Sequence, residues 1–351
     1  MSKWREFSGY WLSSQAREAD KYYVNPILKL HKMPMEVRAV AAALAWLLFI
    51  TCLHLVVISR DAPGKRIKIG FLPITCHLLL PVAIDRDKWF RGKVEAVKYS
   101  SWPDMIESIK GGELDAAFIL APIALSLMDQ GVPVKIAILG HRNGTGLVVS
   151  KREAISDALD LRGRTIAIPI RFSTQNLALQ EFLSENGVTS SEVNLVELPP
   201  PDMPSALASG GIDAYIVGEP YAAQAEMADS GRILHRIQEL WPDFISSLLI
   251  VRDDLLNNQE ADADRIIRTL YAQGRWIEGH RAEAARMGAK FFGLPNALLL
   301  RVLTDKVVRV SYEKLLPERK ALEKVGDLMV KYGLVPRKPP CRIYSKWQSA
   351  D

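Results

Sequence analysis

The sequence predicts an α/β protein of two similarly built lobes, preceded by one membrane-spanning helix. A twenty-residue phrase starting at Pro103, PDMIESIKGGELDAAFILAP, returns 98 residues later as PDMPSALASGGIDAYIVGEP, with seven identical positions. Strand-like and helix-like segments alternate from Ile67 onward, which is typical of lobes with parallel sheets. Before them lies AVAAALAWLLFITCLHLVVIS, 21 residues without Asp, Glu, Lys or Arg. Duplication and convergence on a common pattern both explain the repeated phrase, and both give two lobes of like construction.

The apolar run, Ala39 to Ser59, predicts a transmembrane anchor over residues 37–59. As a helix it would span about 30 Å, the hydrocarbon thickness of a bilayer. A buried core helix and a cleaved signal peptide are the alternatives, although the following SRDA lacks an A-x-A cleavage pattern. Residues 1–36 are then a cytoplasmic leader. Four basic residues flank the run on each side, so charge does not decide its orientation.

Composition excludes several classes of function. The chain has 351 residues, 48% of them hydrophobic and 24% charged, which is the composition of a folded protein. A net charge of +5 without a run of five basic residues gives no reason to expect nucleic acid. Its three cysteines form no CxxC pair, so neither a zinc knuckle nor a redox motif is indicated. We expect no metal site and no cofactor. Pairing of Cys76 with Cys341 stays open.

Each lobe reads as strand, helix, strand, helix, strand. In the first lobe the strands are IKIGFL, VEAVKY and LDAAFILAP, and SWPDMIESIKGG is a helix with a Ser-x-x-Asp cap and a double-glycine end. In the second they are RTIAIPI, VNLVEL and IDAYIVGEP. GTGLVVSK and FISSLLIV would be the two hinge crossings, and a helical tail from about Asp253 returns to the first lobe. The predicted lobes are residues 66–148 with 246–351, and residues 149–245.

A cleft between the lobes is the predicted ligand site. Ligands of open α/β sheets bind beyond the carboxyl ends of the strands. The chain places Pro73 to His77 and Ala121-Pro122 there in one lobe, and Phe172 to Gln175 and Gly218 to Tyr221 in the other. Free backbone N–H groups at the helix starts favour a polar or anionic ligand. Plainer interpretations are helix caps for Ser173 and Thr174, a core position for Trp102, and a carboxylate at Glu219 that complements a helix dipole.

The same stretches resemble a known family. GFLPITCHLLLPVA, GELDAAFILAP, LGHRNGTGLVVSK, LRGRTIAIP, GGIDAYIVGEPYAAQA and ALEKVGDLMVKYGL are similar to the nitrate/sulfonate/bicarbonate-type substrate-binding proteins of ABC importers, which include binders of taurine and thiamine precursors. The resemblance implies a two-lobed periplasmic-binding-protein type II fold that closes on a small ligand. With the cleft argument, it gives the predicted ligand-binding residues: Thr75, Cys76, His77, Trp102, Ala121, Thr145, Ser173, Thr174, Gln175, Gly218, Glu219 and Tyr221.

This chain departs from the nitrate and bicarbonate members of the family at three places. Gln175 stands where nitrate binders tend to have histidine, and LWPDFISSLL lacks the lysine that those members carry after LW. The pair Trp89-Phe90 replaces a turn of glycine and aromatic residues. The predicted ligand is therefore a small polar or anionic solute whose class stays open: a sulfonate, an oxoanion or a heterocyclic precursor.

We therefore expect a membrane-anchored solute-binding component of an ABC importer, not an enzyme, with no catalytic residues. Its partners would be a small-molecule solute, the permease and ATPase subunits, and the inner (cytoplasmic) membrane through residues 39–59. A single pass would place the binding domain on the periplasmic or extracellular side. One alternative is a ligand-sensing or assembly subunit of a membrane complex. The other is an enzyme on the same fold that makes a cofactor precursor, for which Cys76-His77, Glu219 and His141 are the candidate participants.

Overall fold

The structure, a computed structural model, describes residues 34–59, 66–305 and 310–346. The chain divides into two compact units, residues 1–65 and residues 66–351, which are described separately. Most of the predicted leader, residues 1–33, lies outside the described residues.

The first unit contains one described helix, α1 (Met35–Ser59). Its segment Met35–Leu53 is long and apolar enough to cross a membrane, and it is the one such helix among the residues that the structure describes. Large apolar side chains on this segment, among them Leu44, Trp46 and Phe49, are more than half exposed.

In its described part, the second unit contains two mixed sheets of five strands each. The strands are β1 (Ile67–Phe71), β2 (Val94–Lys98), β3 (Ala116–Leu120), β4 (Val134–Leu139), β5 (Thr145–Ser150), β6 (Thr165–Ile168), β7 (Asn194–Glu197), β8 (Ala214–Gly218), β9 (Gly231–Arg236) and β10 (Ser247–Arg252). The first sheet has the order β2-β1-β3-β10-β4, and the second has the order β7-β6-β8-β5-β9. In each, the first three strands run parallel and the fourth runs antiparallel to both of its neighbours.

Helices cover the sheets. They are α2 (Leu79–Arg86), α3 (Lys88–Lys93), α4 (Trp102–Lys110), α5 (Ala121–Asp129), α6 (Thr174–Glu185), α7 (Met203–Ser209), α8 (Tyr221–Met227), α9 (Ile237–Leu240), α10 (Asp253–Asn258), α11 (Glu260–Gly279), α12 (Arg281–Phe292), α13 (Asn296–Thr304) and α14 (Arg319–Lys331). Short 3₁₀ turns occur at Thr75–His77, Leu159–Leu161, Ser190–Glu192 and Pro200–Asp202.

The two sheets are built alike, as the repeated phrase predicts. An offset of 98 residues places β3 on β8 residue for residue, and the flanking strands follow in the same order. The antiparallel strand of each sheet lies next to a crossing of the chain between the sheets. After β4 of the first sheet the chain crosses and forms β5 in the second sheet, and after β9 it crosses back and forms β10 in the first sheet. The predicted α/β fold with two similar halves is therefore confirmed.

The lobe boundaries stay a prediction, with one adjustment. Residues 145–148 belong to β5 and pair with β8, so sheet membership moves the first crossing to residues 140–144. The predicted boundary lies four residues later, because a strand-like segment does not show which sheet it will join.

Local sequence signals set the ends of several helices. The side chain of Ser101 accepts a hydrogen bond from the Asp104 amide and caps α4, as the Ser-x-x-Asp pattern predicts. The helix ends at Gly111, and Gly112 follows at φ +74°, a left-handed conformation that favours glycine. One prediction was too coarse: the apolar and charged run over residues 261–292 is interrupted at His280, which separates α11 from α12.

The repeated aspartates of ELDAA and GIDAY have the same structural role in both sheets. The carboxylate of Asp115 accepts a hydrogen bond from the Lys68 amide at 2.8 Å, and the Asp115 amide donates to the Lys68 carbonyl. Asp213 makes the corresponding pair of bonds to Thr165, with its carboxylate 2.8 Å from the amide. Each aspartate thereby joins the start of its own strand to the first strand of its sheet.

We expect replacement of Asp115 by alanine to lower the free energy of unfolding by about 1–3 kcal/mol, because the Lys68 amide loses a charged acceptor. Chemical denaturation of the detergent-solubilised chain measures the loss. The matched variant Asp213→Ala tests the second copy, where Arg164 also contacts the carboxylate at 3.5 Å. An Asp115→Ala protein as stable as the wild type would contradict the role assigned to this residue.

The two crossings between the sheets, residues 140–144 and residues 241–246, lie against each other and are held by one buried cation. The Asn143 amide donates to the Phe244 carbonyl at 3.0 Å. Arg142 is 2% exposed, and its guanidinium donates to the Lys314 and Asp243 carbonyls and to the Glu318 carboxylate. Because these bonds connect the first crossing, the second crossing and the C-terminal region, Arg142 fixes the position of the hinge.

Candidate functional site

The predicted ligand-binding residues lie where strands of the two sheets end. Thr75, Cys76 and His77 form the turn after β1, and Trp102 and Ala121 begin helices α4 and α5. On the second lobe, Ser173 caps α6, and Thr174 and Gln175 begin that helix. Thr145 is the first residue of β5. The turn from β8 to α8 contains Gly218, Glu219 and Tyr221. Gly218 is half-buried and the other eleven are at most 3% exposed.

Direct hydrogen bonds join the first lobe to the second at Thr75. Its amide and its hydroxyl both donate to the Glu219 carbonyl, at 3.1 and 2.8 Å. Nearby, the hydroxyl of Tyr221 donates to the Pro73 carbonyl at 3.1 Å. The sequence predicts Thr75 as a group that contacts ligand; in this structure both of its donors are used to bridge the lobes.

A second bridge is centred on Ser246, in the second crossing. Its hydroxyl accepts from the side-chain amide of Gln175 at 2.7 Å, and its carbonyl accepts from the Thr174 hydroxyl at 3.3 Å. The same carbonyl accepts from the Ala121 amide at 3.4 Å. Ser246 therefore connects predicted site residues of both lobes, although sequence reasoning did not single it out.

Thr145 and Gly218 complete this group from the second sheet. The two residues are opposite each other in the β5–β8 ladder. A methyl group added at Gly218 would lie 3.8 Å from the Gln175 amide nitrogen and 3.9 Å from the Ser246 hydroxyl. Glycine at this position thus lets the backbone approach the cluster closely.

Trp102 and His77 form an aromatic wall on the first lobe. Their rings meet edge to face at 5.9 Å, and His77 also packs against Phe118 at 5.3 Å. The Leu72 amide donates to Nδ1 of His77 at 2.8 Å and fixes the imidazole. Trp102 belongs to the core, as the plainer interpretation predicts.

Four polar atoms of these residues are buried and have no hydrogen-bond partner among the residues that the structure describes: Trp102 Nε1, His77 Nε2, Thr145 Oγ1 and Gln175 Oε1. Buried polar atoms in folded proteins are nearly always paired. The indole N–H of Trp102 can only donate, so it requires an acceptor. Ser173 differs from this group, because its hydroxyl accepts from the Asn176 amide at 3.1 Å and serves as the predicted cap.

Burial keeps the two histidines and the cysteine of the site uncharged near neutral pH. It lowers the pKa of His77 and of His141 to about 3, and it raises the pKa of the Cys76 thiol to about 12. It also raises the pKa of Glu219 to about 7, although the Ala223 amide donates to this carboxylate at 2.9 Å. Apart from Glu219, which titrates near neutral pH, the predicted site residues therefore offer hydrogen-bonding groups rather than charges.

Two further residues hold Thr75 in place: Tyr312, which sequence reasoning missed, and His141, which the sequence suggested only for the enzyme alternative. The hydroxyl of Tyr312 donates to the Thr75 carbonyl at 2.7 Å. Since the Thr75 hydroxyl proton goes to Glu219, the His141 Nε2–H at 3.1 Å is the donor to Thr75 Oγ1. No sequence pattern marks Tyr312, which lies 237 residues from its partner.

Comparison with known proteins identifies the family of this chain. Residues 60–293, about two thirds of the chain, match the NMT1-like family, and the chain belongs to that family. The predicted resemblance to nitrate/sulfonate/bicarbonate-type binding proteins is confirmed.

Two curated relatives and one solved structure show the extent of the similarity. The chain is 28% identical over 62% of its length to the nitrate import ATP-binding protein NrtC of Synechocystis, and 26% identical over 61% to the nitrate/nitrite binding protein NrtA of Nostoc. These matches cover 35% and 54% of the relatives, so the chain spans only part of their length. The ligand-binding component of an ABC-type import system from Staphylococcus aureus, solved with zinc bound, superimposes with a TM-score of 0.73. The two are 23% identical, and the superposition covers 82% of this chain and 99% of that one.

Proposed function

We propose that this protein is the solute-binding component of an ABC importer and binds a small polar solute between its two lobes. The observation that carries the proposal is the meeting of Thr75 with Glu219 of the opposite lobe, and of Gln175 with Ser246 in the second crossing. These contacts lie in one buried region that contains unpaired polar atoms. Lobes of this kind exchange open and closed states, and a ligand that contacts both lobes favours the closed one.

The chemistry of the cleft favours a ligand held by hydrogen bonds. Arg142 is the one fully buried Lys or Arg in the described part of the chain, and three oxygen atoms already occupy its guanidinium. The Trp102 N–H calls for an acceptor, and the Thr145 hydroxyl both donates and accepts. A sulfonate or a polar heterocycle supplies such atoms without needing a positively charged side chain.

The observations weigh against an enzyme at this site. A nucleophilic cysteine needs a lowered pKa, whereas the pKa of the Cys76 thiol is raised. The hydrogen bonds of His77 and His141 go to Leu72 and to Thr75, so neither ring is committed to Cys76 as a base. Groups in these environments favour binding over turnover.

Helix α1 is proposed as an uncleaved anchor that holds the binding domain outside the cytoplasm. Its length and composition support a membrane span, and the same properties would serve a signal sequence. Anchoring would confine the receptor beside the permease and raise its effective concentration there. Mass measurement of the membrane-bound protein distinguishes an intact N-terminus from a cleaved one.

A thermal-shift screen of the full chain in mild detergent tests the binding proposal. Taurine, a longer alkanesulfonate, nitrate, bicarbonate and a hydroxymethyl-aminopyrimidine are the probes. A true ligand at a hundredfold excess over Kd stabilises the protein by about 2.7 kcal/mol, which raises Tm by roughly 5 °C or more. The absence of any shift across the panel would count against solute binding.

We expect Trp102→Phe to weaken binding of the active probe about tenfold, because the ring remains but the N–H donor is lost. Trp89→Phe is the matched control, since Trp89 stacks under Arg265 outside the cleft. Equal affinity of the Trp102→Phe and Trp89→Phe proteins would remove Trp102 from the site.

Co-purification with a permease and an ATPase supports import; co-purification with a different membrane complex supports an assembly subunit instead.

A further inference from the structure

The C-terminal strap, residues 319–346, is fixed to the first lobe. It consists of α14 and the segment that follows, which runs parallel to the edge of β4: the Ile136 amide donates to the Arg342 carbonyl at 2.9 Å, and the Tyr344 amide donates to the Ile136 carbonyl at 2.8 Å. An ion pair between Arg337 and Asp129 at 3.4 Å adds a contact to α5.

The same strap reaches across to the second lobe. The ammonium of Lys331 and the hydroxyl of Tyr332 both bond to the carboxylate of Glu181, on α6. The Arg171 guanidinium, in the loop before α6, donates to the Gly333 carbonyl at 3.1 Å. The strap therefore bridges the lobes at a point distant in sequence from both crossings.

Helix α6 links these contacts to the cleft. Gln175 bonds to Ser246 at its N-terminal end, and Glu181 meets the strap six residues later, about 9 Å along the axis. A helix moves as a rigid rod over that distance, so a movement that opens the cleft at Gln175 also pulls Glu181 from the strap.

We infer that Glu181, Lys331 and Tyr332 form a clasp that holds the two lobes closed and sets the balance between the open and closed states. These three are positioning residues, since they act on the cleft through α6. The inference concerns the motion of the ligand-free protein, so it is tested without a ligand and can fail or succeed independently of the proposed function.

Amide hydrogen exchange of the full chain in detergent provides the test. The Thr75 amide is protected by its bond to the Glu219 carbonyl on the other lobe, so its exchange rate follows the open fraction. Glu181→Gln and Tyr332→Phe should each speed exchange of the peptide containing Thr75 by roughly two- to fivefold, the range for partly exposed ion pairs. Peptides from β3 and β8 should exchange at the wild-type rate.

Asp129→Asn is the matched control, because it breaks the strap's ion pair with the first lobe and leaves the clasp intact. It should leave Thr75 exchange unchanged. Unchanged Thr75 exchange in both clasp variants would overturn the inference. Faster exchange throughout the sheets would also overturn it, since the residues would then support general stability rather than lobe closure.

Discussion

Replacing Gly140 by alanine should lower the free energy of unfolding by about 3 kcal/mol, because the added methyl group collides with backbone. Its Cβ would lie 2.2 Å from the Cys76 carbonyl oxygen and 2.6 Å from the Ser247 hydroxyl. Neither neighbour can withdraw without loss: Ser247 accepts from the Gly140 amide at 2.9 Å, and Cys76 belongs to the turn that bridges the lobes. The substitution therefore also pushes Thr75 away from Glu219.

Gly92→Ala is the control for this substitution. Gly92 lies in α3, and a Cβ there would meet nothing within 4 Å. Alanine favours a helix over glycine, so this variant should be stabilised by about 0.5 kcal/mol. Chemical denaturation compares the two proteins, with Thr75 hydrogen exchange as the local measurement. Near-equal stability of Gly140→Ala and wild type would show that Gly140, which follows β4, does not lie this close to the turn that contains Cys76.

The second large effect concerns pH and Glu219. Burial raises the pKa of this carboxyl from 4.5 to about 7, against the lowering influence of the Ala223 amide, Arg236 and Arg301. The folded protein therefore keeps its proton between these pH values while the unfolded chain has released it. Stability from this group is fully present below pH 4.5 and is lost as pH rises toward 7, by about 3 kcal/mol.

Glu219→Gln should remove this pH dependence, because glutamine retains an acceptor for the Ala223 amide but does not ionise. Relative to wild type, the variant should gain stability steadily between pH 5 and 7.5, measured by denaturation at several pH values. His77 and His141, whose lowered pKa values destabilise the fold below pH 6.5, are present in both proteins and cancel in the difference. A constant difference across this range would show that Glu219 is ionised in the folded protein.

Both experiments bear on the proposed closure of the lobes. Glu219 contributes a carbonyl to the Thr75 bridge and a buried carboxyl whose pKa is raised to about 7. If opening of the lobes admits water to that carboxyl, its ionisation becomes easier, and a rise in pH through 7 should favour the open state. Comparison of Thr75 exchange at pH 6 and pH 8, corrected for the intrinsic rate, follows the same equilibrium.

The sequence by itself determined the order of strands and helices, the likeness of the two halves and the apolar helix α1. These features depend on residues close together in the chain: the cap at Ser101, the glycines at 111–112, and the run of 21 uncharged residues. The repeated phrase also predicted that two distant parts of the chain are built alike, because two copies of a segment fold by the same local preferences.

The tertiary structure alone decided which groups meet across the cleft. The bonds of Thr75 to Glu219, of Tyr312 to Thr75 and of Arg142 to Lys314 join residues 144 to 237 positions apart, and each uses a backbone carbonyl. Every residue has such a carbonyl, so no side-chain pattern identifies the acceptor. The roles of Ser246 and of the clasp at Glu181 could not be predicted from the sequence for a related reason: they arise only when segments distant in the chain come together in the folded protein.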